Sequence, residues 1–336
     1  MTVELGVVFG GPNDRLWLPR IRRWVDSNDS LFKKLGLTPV VKPLSSAGEA
    51  LGWREELPNE RVVVAFGLNR GEFESGRVIS SGQPIIVQDA ASPCGSAAGN
   101  RMILARRDVT DQLRKSLVRV AILQRGIEIR SPVTDRELSG YFALRYQVWK
   151  AVGYLRDENK GTSVEWEVDY WDRTAVPLCA ITREGKTIGC VRLISSLGRE
   201  EPNYVARIQR LLDQAGEAQL KRLFKFQNAP MHPFDVLCEF PEFGAAYREL
   251  LKSGTSVAEI GRVAVDPQYR GQCLSEVLVD SVVALAESRR VKSLFLACHE
   301  NLGPLYARCG FKPVPGLRSE KFFNIQVPSI VMERRI

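Results

Sequence analysis

The residues best placed to do chemistry in this chain lie between Glu259 and Cys273, in the run EIGRVAVDPQYRGQC. An apolar, β-rich strand leads into a tight turn, and the turn opens directly into a helix. Successive backbone N–H groups in such a turn, together with the helix N-terminus, form a site for an anion. Gly271 lets the backbone approach a phosphate closely, and Arg270 adds a fixed positive charge. Other reactive residue types are sparse. His232 and His299 are the two histidines, too few for a His-rich metal site, and no metal is expected. Cys298 and His299 are adjacent, but strand neighbours point to opposite faces and do not make a nucleophile–base pair. Seven cysteines, an odd number without paired spacing, argue against a disulfide framework. Cys179, Cys190 and Cys298 lie in apolar segments, where a thiol behaves as a small hydrophobe.

The turn Gln268-Tyr269-Arg270-Gly271-Gln272-Cys273 resembles the pyrophosphate-binding motif of the GNAT acyltransferase superfamily, Gln/Arg-x-x-Gly-x-Gly/Ala, with Cys273 in the last small position. PLYARCGFKPV, Pro304 to Val314, resembles the last helix of that superfamily, Leu-Tyr-x-x-x-Gly-Phe. The resemblance implies that Tyr306 protonates a departing thiolate, a role that suits a phenol because it is neutral at pH 7 and can donate. The competing reading is a helix tyrosine packed on the sheet. The asparagine that often precedes this helix has no match, since Asn301 sits too close to Tyr306.

A narrower resemblance lies upstream. ALRYQVWKAVGYL, EVDYWD, GCVRL and EIGR occur in that order, as in the acyl-homoserine lactone synthases and the related N-acyl amino acid synthases. On that match Arg145 and Trp149 are the arginine and aromatic of the first helix. Asp169 and Asp172 are the paired acids, Arg192 is the strand arginine, and Glu259 with Arg262 forms the Glu-x-x-Arg pair. These become the substrate-side residues, with Glu259 and Tyr306 as the catalytic ones. Val263, Ala264 and Val265 would lie along the thioester arm and supply backbone to an oxyanion. The co-substrate implied is an acyl thioester, on coenzyme A or an acyl carrier protein, and the acceptor a small-molecule amine. An amine must lose a proton to attack a thioester, so a carboxylate near the sheet centre is needed. Glu259 fits that need, or it is a structural ion pair with Arg262 or Arg192; Asp169 and Asp172 grip an acceptor's ammonium or brace their loop. Two features depart from a typical lactone synthase, the longer stretch between Arg192 and Glu259 and the leading region 1–125. The intact phosphate turn favours the N-acyl amino acid synthase side. The alternatives are a lactone-forming synthase, an ordinary acetyltransferase, and a non-enzymatic acyl-carrier sensor.

These residues need a scaffold, and the chain of 336 residues is long enough for two domains. Residues 126–336 are expected to form the GNAT-type mixed sheet flanked by helices. The pattern runs from a strand at Ile127–Arg130 through a helix from about Thr134 to Trp149, opened by a Thr134/Glu137 capping box. A hairpin turning at Glu184-Gly185-Lys186 follows, and residues 197–258 with the first helix would shape the acyl and acceptor pockets. The strand Ala258–Val265, a helix from Leu274, a strand at Ser293–Ala297, the Tyr306 helix and strands Phe311–Val314 and Asn324–Met332 close the pattern. Residues 1–125 show five short β-rich runs with room for crossover helices, the layout of a receiver-like or flavodoxin-like α/β domain. Leu113, Leu117, Val120 and Ala121 make one face of a helix that Gly126 stops. Asn69 stands where a receiver needs its phosphoacceptor aspartate, and Gly10-Gly11 replaces its acids, which leaves a docking or scaffolding domain.

Composition agrees with a soluble protein at 44% hydrophobic and 26% charged residues. No apolar run reaches the roughly 18 residues of a membrane span, and the N-terminus lacks a signal's basic region, so a cytoplasmic protein is expected. The net charge of +8 suits an anionic partner. The basic residues are scattered without interleaved aromatics, which argues against nucleic acid, and Arg20, Arg22 and Arg23 read as a solvated helix face.

Overall fold

The computed structural model describes residues 2–9, 17–35, 37–44, 61–66, 85–88, 97–98, 101–103, 118, 122, 125–155, 160–196, 200–225, 234–321 and 325–336. The chain divides into two compact units, Met1–Gly126 with Gly271–Cys273 and Ile127–Arg270 with Leu274–Ile336, each with its own sheet.

In the first unit the described elements are β1 (Thr2–Phe9), α1 (Trp17–Ser27), α2 (Asp29–Leu35), β2 (Thr38–Leu44), β3 (Arg61–Phe66), β4 (Ile85–Gln88), β5 (Ala97–Ala98) and β6 (Arg101–Ile103). The strand order is β2-β1-β3-β4-β6-β5. All pairings are parallel except that of the short edge strand β5 with β6. Placing β1 between β2 and β3 gives the order of a flavodoxin-like doubly wound sheet. Runs such as Val62-Val63-Val64 supply the β-branched residues that parallel strands favour. Ile21 of α1 and Phe32 of α2 are buried while Arg22 and Arg23 are exposed, as a solvated helix face requires. Gly10, Gly11, Asn69 and the apolar positions at 113, 117, 120 and 121 lie outside the described residues.

The second unit begins with β7 (Glu128–Arg130) and α3 (Asp135–Ala151), followed by a 3-10 turn at Tyr170–Arg173, β8 (Ala175–Ile181) and β9 (Thr187–Ser195). Next come α4 (Pro202–Ala215), α5 (Ala218–Lys225), α6 (Val236–Glu239) and α7 (Phe243–Lys252). The unit ends with β10 (Val257–Val265), α8 (Leu274–Ser288), β11 (Ser293–His299), α9 (Gly303–Arg308), β12 (Lys312–Ser319) and β13 (Ser329–Arg335). The capping box forms as the sequence indicates, Thr134 accepting from the Glu137 N–H and Glu137 accepting from the Thr134 N–H. The last strand starts later than its apolar pattern suggests, because Pro328 has no N–H to give to a ladder.

The seven-stranded sheet has the order β12-β13-β11-β10-β9-β8-β7. Only the β10–β11 pairing is parallel. β9 is buried along almost its whole length, since α3 and α8 both pack on it. Gly189 permits that approach: a Cβ there would stand 2.9 Å from Leu278 Cδ1. This mixed sheet with flanking helices is the GNAT architecture expected for the region, and the site is built at its centre.

Candidate active site

β10 and β11 pair only through Val257, Ala258 and Glu259, opposite Ser293, Leu294 and Phe295. Beyond Glu259 the two strands run on, to Val265 and His299, without pairing to each other. The sheet therefore splays at its middle, and Glu259 stands on the last rung before the gap. The facing edge of Val263–Val265 keeps backbone groups that no neighbouring strand engages on that side. Such groups need partners from water or a ligand.

A bulge shapes the other edge of β10. Gly261 pairs with Arg192 and Ala264 with Cys190, so one extra residue is inserted between them. Arg262 takes it up with φ 57°, in the left-handed region that costs a non-glycine residue roughly 1–2 kcal/mol. Strict alternation would send Arg262 to the face opposite Glu259; the bulge re-aims it. Gly261 leaves room beneath, where a Cβ would meet Glu259 Oε1 at 3.4 Å and Arg192 Nε at 3.5 Å.

Three arginines and four carboxylates interlock around this bulge, all buried. Arg145 from α3 forms ion pairs with Glu167 and with Asp172 Oδ1, the latter at 2.7 Å. Arg192 Nη1 donates to Asp169 Oδ1 at 2.7 Å and to Asp172 Oδ1 at 3.1 Å. Arg262 donates to Glu167 Oε1 (3.2 Å), Asp169 Oδ2 (2.6 Å) and Asp235 Oδ2 (2.6 Å), and its guanidinium lies 4.2 Å from the Trp149 ring centroid. Asp169 and Asp172 also close a capping box on each other across the 3-10 turn, which realises the bracing role open to them. Burial alone would raise the Asp169 carboxyl, but Arg192, Arg262 and Arg145 overcome it and hold the group well below the ordinary range.

Glu259 is treated differently. It is buried, accepts one hydrogen bond from the Val236 N–H at 3.1 Å, and forms no ion pair with an arginine among the described residues. Burial first, and the charge of Asp235 second, push its carboxyl up to about 8 against the pull of Val236, Arg192 and Arg262. One acid thus stands apart from the ion-pair network, with a proton affinity suited to base catalysis near neutral pH.

At the far end of β10, Asp266 accepts from the Gln268 N–H at 3.0 Å and pairs with Lys186 at 2.9 Å, fixing the start of the turn. Gly271 has φ 74° and Cys273 φ 58°. Cys273 holds this left-handed conformation at a cost in backbone strain that glycine would not carry. Arg270 donates from Nε to the Val265 carbonyl at 3.3 Å. Tyr306 on α9 is buried, its ring edge-on to Phe311. Burial, with Cys298 and Cys309 adding to it, holds the phenol well above its ordinary range, so it remains a proton donor.

The sequence match to known families falls on this half of the chain. A model of the FeeM family, N-acyl amino acid synthase FeeM, matches residues 232–334. That stretch carries β10, the turn Gln268–Cys273 and α9. Solved structures similar to the chain include FeeM, an N-acyl amino acid synthase from uncultured soil microbes, at 16% identity and TM-score 0.40 over 62% of this chain and 90% of that one. TofI, in a ternary complex with an inhibitor and MTA, is 14% identical with TM-score 0.38 over 62% of this chain and 90% of that one. An acyl-CoA N-acyltransferase from Pseudomonas aeruginosa is 19% identical, with TM-score 0.34 over 62% of this chain and 97% of that one. No curated protein sequence matches. The FeeM match supports an acyltransferase activity of the N-acyl type.

Within the second unit, Arg145, Trp149, Asp169, Asp172, Arg192 and Arg262 come together in one cluster, with Glu259 beside it. Gln268–Cys273 and Tyr306 lie elsewhere, on the turn after β10 and on the helix after β11. Two cluster members escape sequence reasoning. Glu167 opens the EVDYWD motif, and that position was the available signal; in the structure it pairs with Arg145. Asp235 sits in the long stretch before β10, where nothing in the spacing marks it. Among the described residues no group of three or more His, Cys, Asp or Glu side chains is arranged to hold a metal ion. No described helix is long and apolar enough to cross a membrane.

Proposed function

We propose that the chain transfers an acyl group from an acyl thioester, carried on coenzyme A or an acyl carrier protein, to the α-amino group of an amino acid or a related small amine. The observation that carries this reading is the splay of β10 from β11 with Glu259 at its vertex. The thioester arm adds to the open edge of Val263–Val265, its carbonyl oxygen facing backbone N–H groups there. Glu259 accepts the proton that the amine gives up as its nitrogen bonds to the acyl carbon. The C–S bond then breaks, and Tyr306 donates a proton to the leaving thiolate. The phosphates of the donor rest on Gln268, Tyr269, Arg270, Gly271, Gln272 and Cys273. Arg145, Asp172 and Arg192 have no exposed side-chain surface, so they position the site. Asp169 and Trp149, at the cluster's margin, are the members that meet the acceptor. Residues 1–125 serve as a separate docking domain.

The phosphate assignment has a direct test. Gly271→Glu places a carboxylate on a left-handed backbone position where the donor's anion must sit. Titration calorimetry with an acyl-CoA should show donor binding lost, with the circular dichroism spectrum retained. Donor affinity equal to wild type would remove the phosphates from this turn.

A further inference from the structure

The segment Phe234–Val236 comes from the long stretch between β9 and β10, and it meets the site at two points. Asp235 Oδ2 accepts from Arg262 Nη1 at 2.6 Å and lies 3.7 Å from Arg192 Nη2. The next residue, Val236, gives its backbone N–H to Glu259 Oε2. Asp235 precedes α6, yet its side chain makes no capping bond to that helix; the carboxylate is turned to the arginines instead. It is buried, as are Phe234, Val236 and Leu237 around it, which pack into an apolar cluster with Phe240, Phe243 and Tyr247. The segment is anchored apart from the arginines it addresses.

We infer that Asp235 is a positioning residue for Glu259: it occupies the guanidinium of Arg262 and so keeps that arginine from pairing with Glu259, while Val236 fixes the Glu259 carboxyl at the vertex of the splay. The arithmetic of charge supports it. Without Asp235, three arginines would face Glu167, Asp169 and Asp172 in balance, and Arg262 would have an N–H arm released three residues along β10 from Glu259. With it, the acids exceed the arginines and Glu259 retains its proton more strongly. The charged groups around Glu259 are Arg192 from β9, Arg262 from β10, and Asp235, with Glu167 and Asp169 behind Arg262. β11 sets the apolar Phe295 opposite it.

This inference rests on Glu259 being the base, so its test reads ionisation apart from turnover. A carboxyl raised by folding loses its stabilising share as pH rises. Between the unfolded value near 4.5 and the folded value near 8, the unfolded chain releases a proton that the folded chain keeps. The stability of the full chain minus that of Glu259→Gln should therefore fall with pH and level off near pH 8. In an Asp235→Asn background the same difference should level off lower by about one pH unit or more, the shift a neighbouring charge produces. The lower limb of the pH–rate profile should move with it, and Asp235→Glu should restore both. Asp235→Ser, which leaves space for water beside Arg262, serves if the asparagine variant does not fold. A levelling pH unchanged in a folded Asp235 variant would overturn the inference. A levelling pH that moves without any matching limb in the rate would keep Asp235's hold on Glu259 and remove the base assignment.

Discussion

Glu259→Gln transfers acyl groups about 10²- to 10⁴-fold more slowly than the wild type, the usual contribution of a general base, yet folds more stably above pH 8. The two effects share one cause. The wild-type carboxylate is buried, lacks an arginine partner, and is held in its neutral form up to about 8. Ionising it inside the sheet costs folding energy, and glutamine avoids that cost while still accepting from the Val236 N–H. Glutamine cannot take a proton from the amine. Donor affinity should change little, because the carboxyl acts on the acceptor side. Stopped-flow thiol release under single-turnover conditions measures the first effect, and thermal unfolding at pH 9 the second. Wild-type turnover in this variant, with chemistry limiting, would deny Glu259 its role.

Asp172→Ala should destabilise the second unit by about 3–5 kcal/mol, the range for removing one partner of a buried ion pair. Its carboxylate is fully buried and accepts from Arg145, from Arg192 and from the Asp169 N–H at 2.9 Å. Alanine leaves two guanidinia short of an acceptor in a place water does not reach, and it unties the capping box of the 3-10 turn. The exposed pair Lys252–Glu249 is as short at 2.7 Å, yet both side chains are more than two thirds exposed. Its loss should cost about 0–1 kcal/mol, because water and salt screen it. Urea unfolding of both variants compares them in one unit. A loss below about 1 kcal/mol for Asp172→Ala would mean that the cluster does not hold the site together.

The frame of this site was legible where local chemistry decides the structure. Thr134 and Glu137 cap α3 as their spacing requires, and the apolar run before Asp266 becomes β10. The family resemblance singled out Arg145, Asp169, Asp172, Arg192 and Arg262, which the fold brings into one cluster. What stayed hidden depends on contacts between distant segments. The φ of Arg262 follows from a register shift between β9 and β10, and a period-two pattern cannot announce it. Asp235 looks like any polar residue near a turn until the fold sets it against Arg262. Cys273 reads as a harmless small residue, and only its backbone angle reveals the strain it carries there. The sequence left Glu259 open between base and ion-pair partner. The geometry favours the first, since Glu259 forms no ion pair among the described residues and Arg262 is engaged by Glu167, Asp169 and Asp235.

The central claim is transfer of an acyl chain longer than acetyl to an α-amine, and product mass tests it most directly. The full chain is incubated with acetyl, hexanoyl and dodecanoyl thioesters and an amino acid, and thiol release is followed beside the mass of the product. Each buried methylene adds about 0.8 kcal/mol, so two extra carbons in a real pocket should favour the longer donor by more than about tenfold. The account predicts an N-acyl amino acid from the medium or long donor, one free thiol per amide, and no methylthioadenosine when S-adenosylmethionine is present. A clear preference for the acetyl donor, or methylthioadenosine released with a lactone product, would contradict it.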